Sequence, residues 1–202
     1  MMDTHKGNNN AQMNDSDLIR SFQSGDRIAF DLLVRKHMDR IFNLCFRFTG
    51  DFHEAEDLAQ DIFFKVFKSL NRFRFESSFS TWLYRVSVNA CMNRLRSLDY
   101  RRKKKKVRFD TVTDRVDDDQ TVEFGHHSET AVTELQRKER MKSIQMAIDS
   151  LPLKQKSLIV LRDIQGLSYE EITRITGVKP GTLKSRLARA RLTLKEKLRG
   201  VI

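Results

Sequence analysis

Between Phe30 and Phe48 the side chains Phe30, Leu33, Val34, His37, Ile41, Leu44, Cys45 and Phe48 recur at every third or fourth position, for more than five turns, until Gly50. Only an α-helix carries a stripe of that period and length. A second seam follows at once in Ala55, Leu58, Ala59, Ile62, Phe63, Val66, Phe67 and Leu70. Two apolar stripes this close together must be buried by other helices. The 202 residues contain only 8 Gly and 2 Pro, too few for the turns of a sandwich or a doubly wound sheet, while 14 Phe and 39% hydrophobic residues suffice for packed cores. The expected fold class is all-α.

Local signals divide the chain into two domains. Residues 1–14 are polar and predicted disordered. Ser16 is the expected cap of a short helix carrying Leu18, Ile19 and Phe22, which Gly25 stops, and Asp26 is the expected cap of the next helix. After the seam, a loop over 71–78 leads to a fourth helix over about 80–97, which completes a helical domain at 15–98. Residues 101–108 then hold seven cations in eight positions, and residues 110–123 hold six carboxylates against one Arg. Blocks of one sign repel internally and bury nothing, so 99–133 reads as a charged flexible linker. Helical periodicity resumes near Glu134 with Leu135, Met141, Ile144, Ala147, Ile148 and Leu151, and the second domain spans 134–202.

The second domain contains the most specific local motif. Ser168 with Glu171 forms the pattern of a capping box, Gly177 suits a left-handed helix end, and Pro180 sits where a helix opens. Two helices joined by so short a turn make a helix-turn-helix. The second of them buries Leu183, Leu187, Ala190, Leu194 and Leu198 on one stripe. Its other faces carry Lys179, Lys184, Arg186, Arg189, Arg191, Lys195, Lys197 and Arg199 against Glu196 alone. Such a helix fits a DNA major groove, with Lys184, Ser185, Ala188 and Arg189 toward base edges, Lys179 and Arg186 toward phosphates, and Thr182 on the same exposed side. The plainer alternative is a basic helix that closes a small core.

The whole chain has 38 Lys and Arg against 27 Asp and Glu, a net +11 that favours a polyanionic partner. No stretch longer than eight residues lacks a charge, which excludes a membrane span, and the N-terminus has no signal-peptide core, so the expected location is the cytoplasm. Cys45 and Cys91 have no metal-site or disulfide spacing and read as buried thiols. His126 and His127 stand isolated in the linker. No nucleophile beside a base, no Gly-rich phosphate loop and no metal-ligand cluster is present, so no enzyme activity, cofactor, metal or small-molecule substrate is expected.

Two further faces carry polar chemistry. On the third helix Asp57, Gln60, Asp61, Phe64 and Lys68 lie beside the buried seam. Phe64 is then either a docking residue or a third core ring with Phe63 and Phe67. On the fourth, Trp82, Arg85, Asn89, Asn93 and Arg96 share one side, where amides can bond base edges, guanidiniums can hold phosphates and a ring can stack on an unpaired base. Trp82 equally suits a core anchor.

The segments DLAQDIFFKVF at 57–67, FSTWLYRVSVNACMN at 79–93 and LSYEEITRITGVKPGTLKSRLARAR at 167–191 together resemble bacterial RNA polymerase sigma factors of the extracytoplasmic-function type. The resemblance covers both domains. It implies that the helix-turn-helix binds the −35 promoter element and that the face from Asp57 to Lys68 docks on the clamp coiled coil of the largest polymerase subunit. It also implies that Phe75, Ser78, Trp82, Arg85, Asn89, Asn93 and Arg96 engage the melted −10 element, the loop before Phe79 holding a flipped base. The partners it implies are core RNA polymerase, promoter DNA and an anti-sigma factor. The acidic run resembles sigma linkers that enter the RNA path, although a solvated tether explains the same charges. On this reading only the polymerase fixes the relative position of the domains, so free DNA binds weakly. The competing function is a dimeric helix-turn-helix regulator that binds duplex DNA without polymerase.

Overall fold

The computed structural model describes residues 13–106 and 131–199, and every regular element among them is helical. The first domain comprises α1 (Asp15–Gln23), α2 (Ile28–Thr49), α3 (Phe52–Leu70) and α4 (Phe79–Lys106). The second comprises α5 (Ala131–Asp149), α6 (Leu153–Ile159), a π-helical turn (Val160–Ile164), α7 (Tyr169–Thr176) and α8 (Pro180–Lys197). Residues 1–12, the acidic run and His126–His127 lie outside the described residues.

Helix boundaries follow from side-chain chemistry at each end. Asn14, not Ser16, caps α1, its Oδ1 accepting the Asp17 amide at 2.9 Å, because Ser16 already lies inside the first turn. Asp26 Oδ1 accepts the Ile28 amide at 2.9 Å to start α2, and Gly50, with φ 73°, ends it in the left-handed region. Asp51 then caps α3 through the Glu54 amide at 2.7 Å. The fourth helix runs past the expected end near 97 to Lys106. Its sequence from 79 to 106 contains neither Gly nor Pro, and Lys and Arg are good helix formers, so nothing stops it where the charge run begins.

The four helices of the first domain pack around Leu33, Ile41, Leu44 and Phe48 of α2, Ala55, Ile62, Val66 and Leu70 of α3, and Leu83 of α4. One member of the second seam departs from expectation. Phe67 remains 37% exposed and packs edge-on against Phe22 and Phe30, with centroids 5.5 and 5.1 Å away, because α1 and α2 cover only one side of it. Cys45 and Cys91, distant in sequence, are both buried free thiols with sulfurs 4.0 Å apart. In the second domain Ile148, Leu151, Leu158, Leu161, Ile172, Leu183, Leu187 and Ala190 are buried, whereas Leu194 and Leu198 are only half-buried as α8 runs beyond the core.

The domains are docked, contrary to the expectation that only a partner would fix their relative position. Buried residues of both belong to one continuous cluster. The Lys156 ammonium of α6 is buried against the C-terminal end of α2, donating to the Phe48 carbonyl at 2.6 Å and to Asp149 Oδ1 at 2.6 Å.

Candidate nucleic-acid and polymerase interfaces

The helix-turn-helix is held rigidly at both ends. The Glu171 amide donates to Ser168 Oγ at 3.2 Å while the Ser168 amide donates to Glu171 Oε2 at 2.7 Å, so the expected capping box is formed. These bonds, the backbone amide of Ser168 foremost, hold the Glu171 carboxyl below its ordinary pKa. Gly177, with φ 69°, closes α7, and Pro180 occupies the first turn of α8. Arg162 of the π-helical turn donates to the Leu167 carbonyl at 2.6 Å and lies 4.8 Å above the Tyr169 ring, which fixes the start of α7. Arg191 forms a bidentate pair with Asp163 through Nε at 3.1 Å and Nη2 at 2.5 Å, and so pins α8 to the same turn. Arg191 is therefore a structural residue, to be subtracted from the basic density read for α8.

The expected recognition face is free. Lys179, Thr182, Lys184, Ser185, Ala188 and Arg189 are exposed, Arg186 is half-buried, and the buried residues Leu183, Leu187 and Ala190 lie opposite. Leu192, 59% exposed, extends this surface one turn further and was not anticipated.

On α3, Asp57, Gln60, Asp61, Phe64 and Lys68 are all exposed. The reading of Phe64 as a third core ring does not hold, since the ring is 58% exposed and carries the Lys68 ammonium 4.0 Å from its centroid, while neighbouring Phe63 is buried. An aromatic ring held in water by helix geometry is available to a partner.

On α4, Arg85, Asn89, Asn93 and Arg96 are exposed along one side. Trp82 is half-buried, its ring 5.3 Å from Phe73 and 5.9 Å from Phe79, so one face anchors the loop and the other remains open. The loop between α3 and α4 is braced by rings: Phe75 adopts φ 57°, packs 5.0 Å from Phe73, and lies under the Arg20 guanidinium at 4.8 Å. Ser78 serves the helix start, its Oγ accepting the Thr81 amide at 3.2 Å and bonding Thr81 Oγ1 at 2.8 Å. A cleft of about 360 Å³ opens beside these groups, lined by Arg72, Phe73, Arg74, Glu76, Ser77, Trp82 and Arg85. An aromatic floor with three guanidiniums around it suits a flat base attached to phosphates. Among the described residues no three His, Cys, Asp or Glu side chains cluster as metal ligands would, and no helix is long and apolar enough to cross a membrane.

Family profiles for sigma-70 region 2 and sigma-70 region 4 match residues 33–104 and 141–194. Over 195 residues the chain is 34% identical to the RNA polymerase sigma-H factor of Pseudomonas aeruginosa, a match covering 95% of this chain and 97% of that one. It is 36% identical over 185 residues to the ECF RNA polymerase sigma factor SigW of Bacillus subtilis, covering 90% of this chain and 95% of that one. This chain belongs to the ECF RNA polymerase sigma factors. The fold agrees with that of the sigma factor RpoE of Bartonella quintana, solved in complex with the anti-sigma factor NepR, with a TM-score of 0.62 at 24% identity over 84% of this chain and 96% of that one.

This sigma factor is a DNA-binding initiation protein that works with core RNA polymerase at promoters. Two groups of its residues escaped sequence reasoning. Arg72 and Arg74 at the cleft lie in a loop with no periodicity to read. Gln145 and Lys156, by contrast, carry a usable signal, because both are polar residues at buried positions of otherwise apolar helical stripes. Arg85 also makes an unforeseen bond, donating from Nη2 to the Arg174 carbonyl of α7 at 2.8 Å.

Proposed function

We propose that the two domains divide promoter recognition, the segment 15–98 taking the polymerase and the melted −10 strand and the segment 134–202 taking the −35 duplex. The observation that carries this division is the cleft on the first domain, bounded by Trp82 and Arg85, with Asn89 and Asn93 exposed further along the same side of α4. A duplex reader has no use for it, whereas an unpaired base stacks on an aromatic face and bonds through its exposed edge. Phe75 and Ser78 brace the loop that carries this site, through ring packing on Phe73 and the cap of α4. Lys184, Ser185, Ala188 and Arg189 read base edges in the −35 groove, with Lys179, Thr182 and Arg186 toward the backbone. Asp57, Gln60, Asp61, Phe64 and Lys68 form the polymerase-docking face. The sigma factor itself performs no covalent chemistry, needs no cofactor and acts in the cytoplasm, where its polymerase is. An anti-sigma factor that covers these faces is the expected regulator.

The test is transcription from a random promoter library by core polymerase, with and without the purified protein. New start sites sharing −35 and −10 sequences support the reading. An absence of transcripts, together with tight binding to palindromic duplex DNA alone, supports the dimeric regulator instead.

A further inference from the structure

The helix-turn-helix hangs on the five residues that lead into it. Val160–Ile164 form the π-helical turn, in which the Gln165 amide donates to the Val160 carbonyl at 2.9 Å while Val160 and Leu161 are buried in the core. Single turns of this kind break the ordinary helical phase and recur at functional sites. Here two consecutive residues serve the two different helices of the motif. Arg162 takes α7, through the Leu167 carbonyl and the face of Tyr169. Asp163 takes α8, accepting from both Nε and Nη2 of Arg191. Asp163 foremost, and Tyr169 after it, raise the Arg191 pKa above its ordinary value against the opposing effect of burial. Folding stability is a poor reason for the pair. Its side chains are 48% and 34% exposed, and exposed ion pairs contribute little to stability.

What the pair controls is a cation on the DNA side of α8. At about 100° per residue, Lys184, Ala188 and Arg191 fall within about 60° of one another around the helix. Arg191 thus continues the row assigned to base edges, beside the buried Leu187 and Ala190. A guanidinium released there is free to hold a phosphate, and phosphate contacts strengthen binding to every sequence alike. Engaged bidentately by a carboxylate, its charge is matched and its fork is occupied. The same two bonds fix the roll of α8 about its own axis. Leu183, Leu187 and Ala190 are buried, but Leu194 is only half-buried, and apolar packing has no preferred direction. A bidentate pair has one. Base readout depends on that roll, because a side chain bonds a base edge only in a fixed geometry. We propose that Asp163 is a specificity-determining positioning residue for −35 recognition: by engaging Arg191 it fixes the roll of α8 and withholds a cation of the recognition row from the DNA backbone. The inference rests on the proposed reading of α8 as the −35 helix and deepens it, adding a residue that touches no DNA yet decides how strictly the sequence is read.

The test uses the full chain assembled with core polymerase. Its DNA probes are a duplex carrying the −35 and −10 sequences found in the promoter library and the same duplex with the −35 element scrambled. Asp163→Asn keeps the shape of the side chain and removes its charge, and urea unfolding checks that the variant stays folded. The preference for the intact −35 element should drop by about fivefold or more, the lower end of what one misplaced base contact costs. The salt dependence should steepen by one phosphate contact, an extra affinity loss of about 3.5-fold between about 50 and 200 mM salt relative to wild type. Adding Arg191→Ala to Asp163→Asn should return the salt dependence to the wild-type slope while the preference stays low, since the released cation is gone and the roll of α8 is still unfixed. Equal weakening on both duplexes with no steeper slope is what a purely structural pair gives, and it overturns the inference. An unchanged preference overturns it too. Lys184→Ala tests the underlying reading: if it also leaves the −35 preference intact, the assignment of α8 to that element fails and takes this inference with it. A preference lost in Lys184→Ala but kept in Asp163→Asn refutes the role of Asp163 alone.

Discussion

Two adjacent phenylalanines on α3 offer a sharp separation of folding from docking. Phe63 is 6% exposed inside the helical core and Phe64 is 58% exposed beside Lys68. Replacing Phe63 with Ala removes a buried ring and leaves a cavity, at a cost of about 3–5 kcal/mol. For Phe64 less than half of the ring is out of water, so truncation forfeits under half of the roughly 1.5–3 kcal/mol that full burial supplies. Loss of the exposed cation–π contact adds about 0.5–1 kcal/mol. The higher helix propensity of Ala returns about 0.5 kcal/mol. The net cost of Phe64→Ala is therefore about 1 kcal/mol, a melting shift of about 4–8 °C for a domain of this size. If Phe64 is the aromatic anchor of the polymerase-docking face, the same change weakens core polymerase binding by about 2–4 kcal/mol, or roughly 30- to 1,000-fold. Urea unfolding of both variants, with titration of labelled core polymerase into folded Phe64→Ala, measures the two effects separately. Equal destabilisation by the two changes, or undiminished polymerase affinity in Phe64→Ala, refutes the reasoning.

Lys184→Ala and Arg189→Ala should each weaken −35 recognition by about 1–3 kcal/mol with altered base preference, while Lys179→Ala should weaken it evenly across sequences; promoter-library transcription distinguishes the patterns. Ser168→Ala deletes the oxygen that accepts the Glu171 amide and should lower stability by about 1 kcal/mol, read as a shift in urea midpoint without a change in slope. Stability should also fall with acid at the α1–α2 contact. Burial holds the His37 imidazole below its ordinary pKa against the opposing pull of Asp15, which bonds its Nε2 at 3.1 Å. With the folded value depressed, the unfolded chain takes up the proton first, so this stability is full above about pH 6.5 and is lost as pH drops toward the folded value. His37→Gln should flatten the pH dependence of the urea midpoint in that window, and an unchanged slope would sink the assignment.

The faces on α3, α4 and α8 were legible because helical period alone sorts residues into inward and outward sets. Lys184, Ser185, Ala188 and Arg189 lie outside for the same geometric reason that Leu183, Leu187 and Ala190 lie inside. The capping box at Ser168 was equally legible, since its donors and acceptors lie within one turn. Where local signals compete, boundaries moved. Ser16 and Asn14 are both good caps, and the choice fell to the residue outside the first turn. The end of α4 near 97 was inferred from a change of charge, to which backbone hydrogen bonding is indifferent. The cleft beside Trp82 was only half visible, because Arg72 and Arg74 are brought to it by an aperiodic loop whose course is set by the rings of Phe73, Phe75 and Phe79.

What the sequence by itself determined is the four helices of the first domain, α5, most of their buried stripes, the helix-turn-helix and the membership of the family, all of which depend on residues within a turn or two of each other or on recurring motifs, whereas α6 and the π-helical turn after Pro152 appear only in the structure. Only the tertiary structure decided that Phe64 stands in water while Phe67 rests against α1 and α2, that the two cysteine sulfurs meet, and that the domains are docked. Each of these depends on groups far apart in the chain, most plainly at the end of α2. There the Phe48 carbonyl finds its donor in Lys156, 108 residues further along. No local pattern encodes that partner, because what selects it is the need to satisfy a helix end and a buried charge at once.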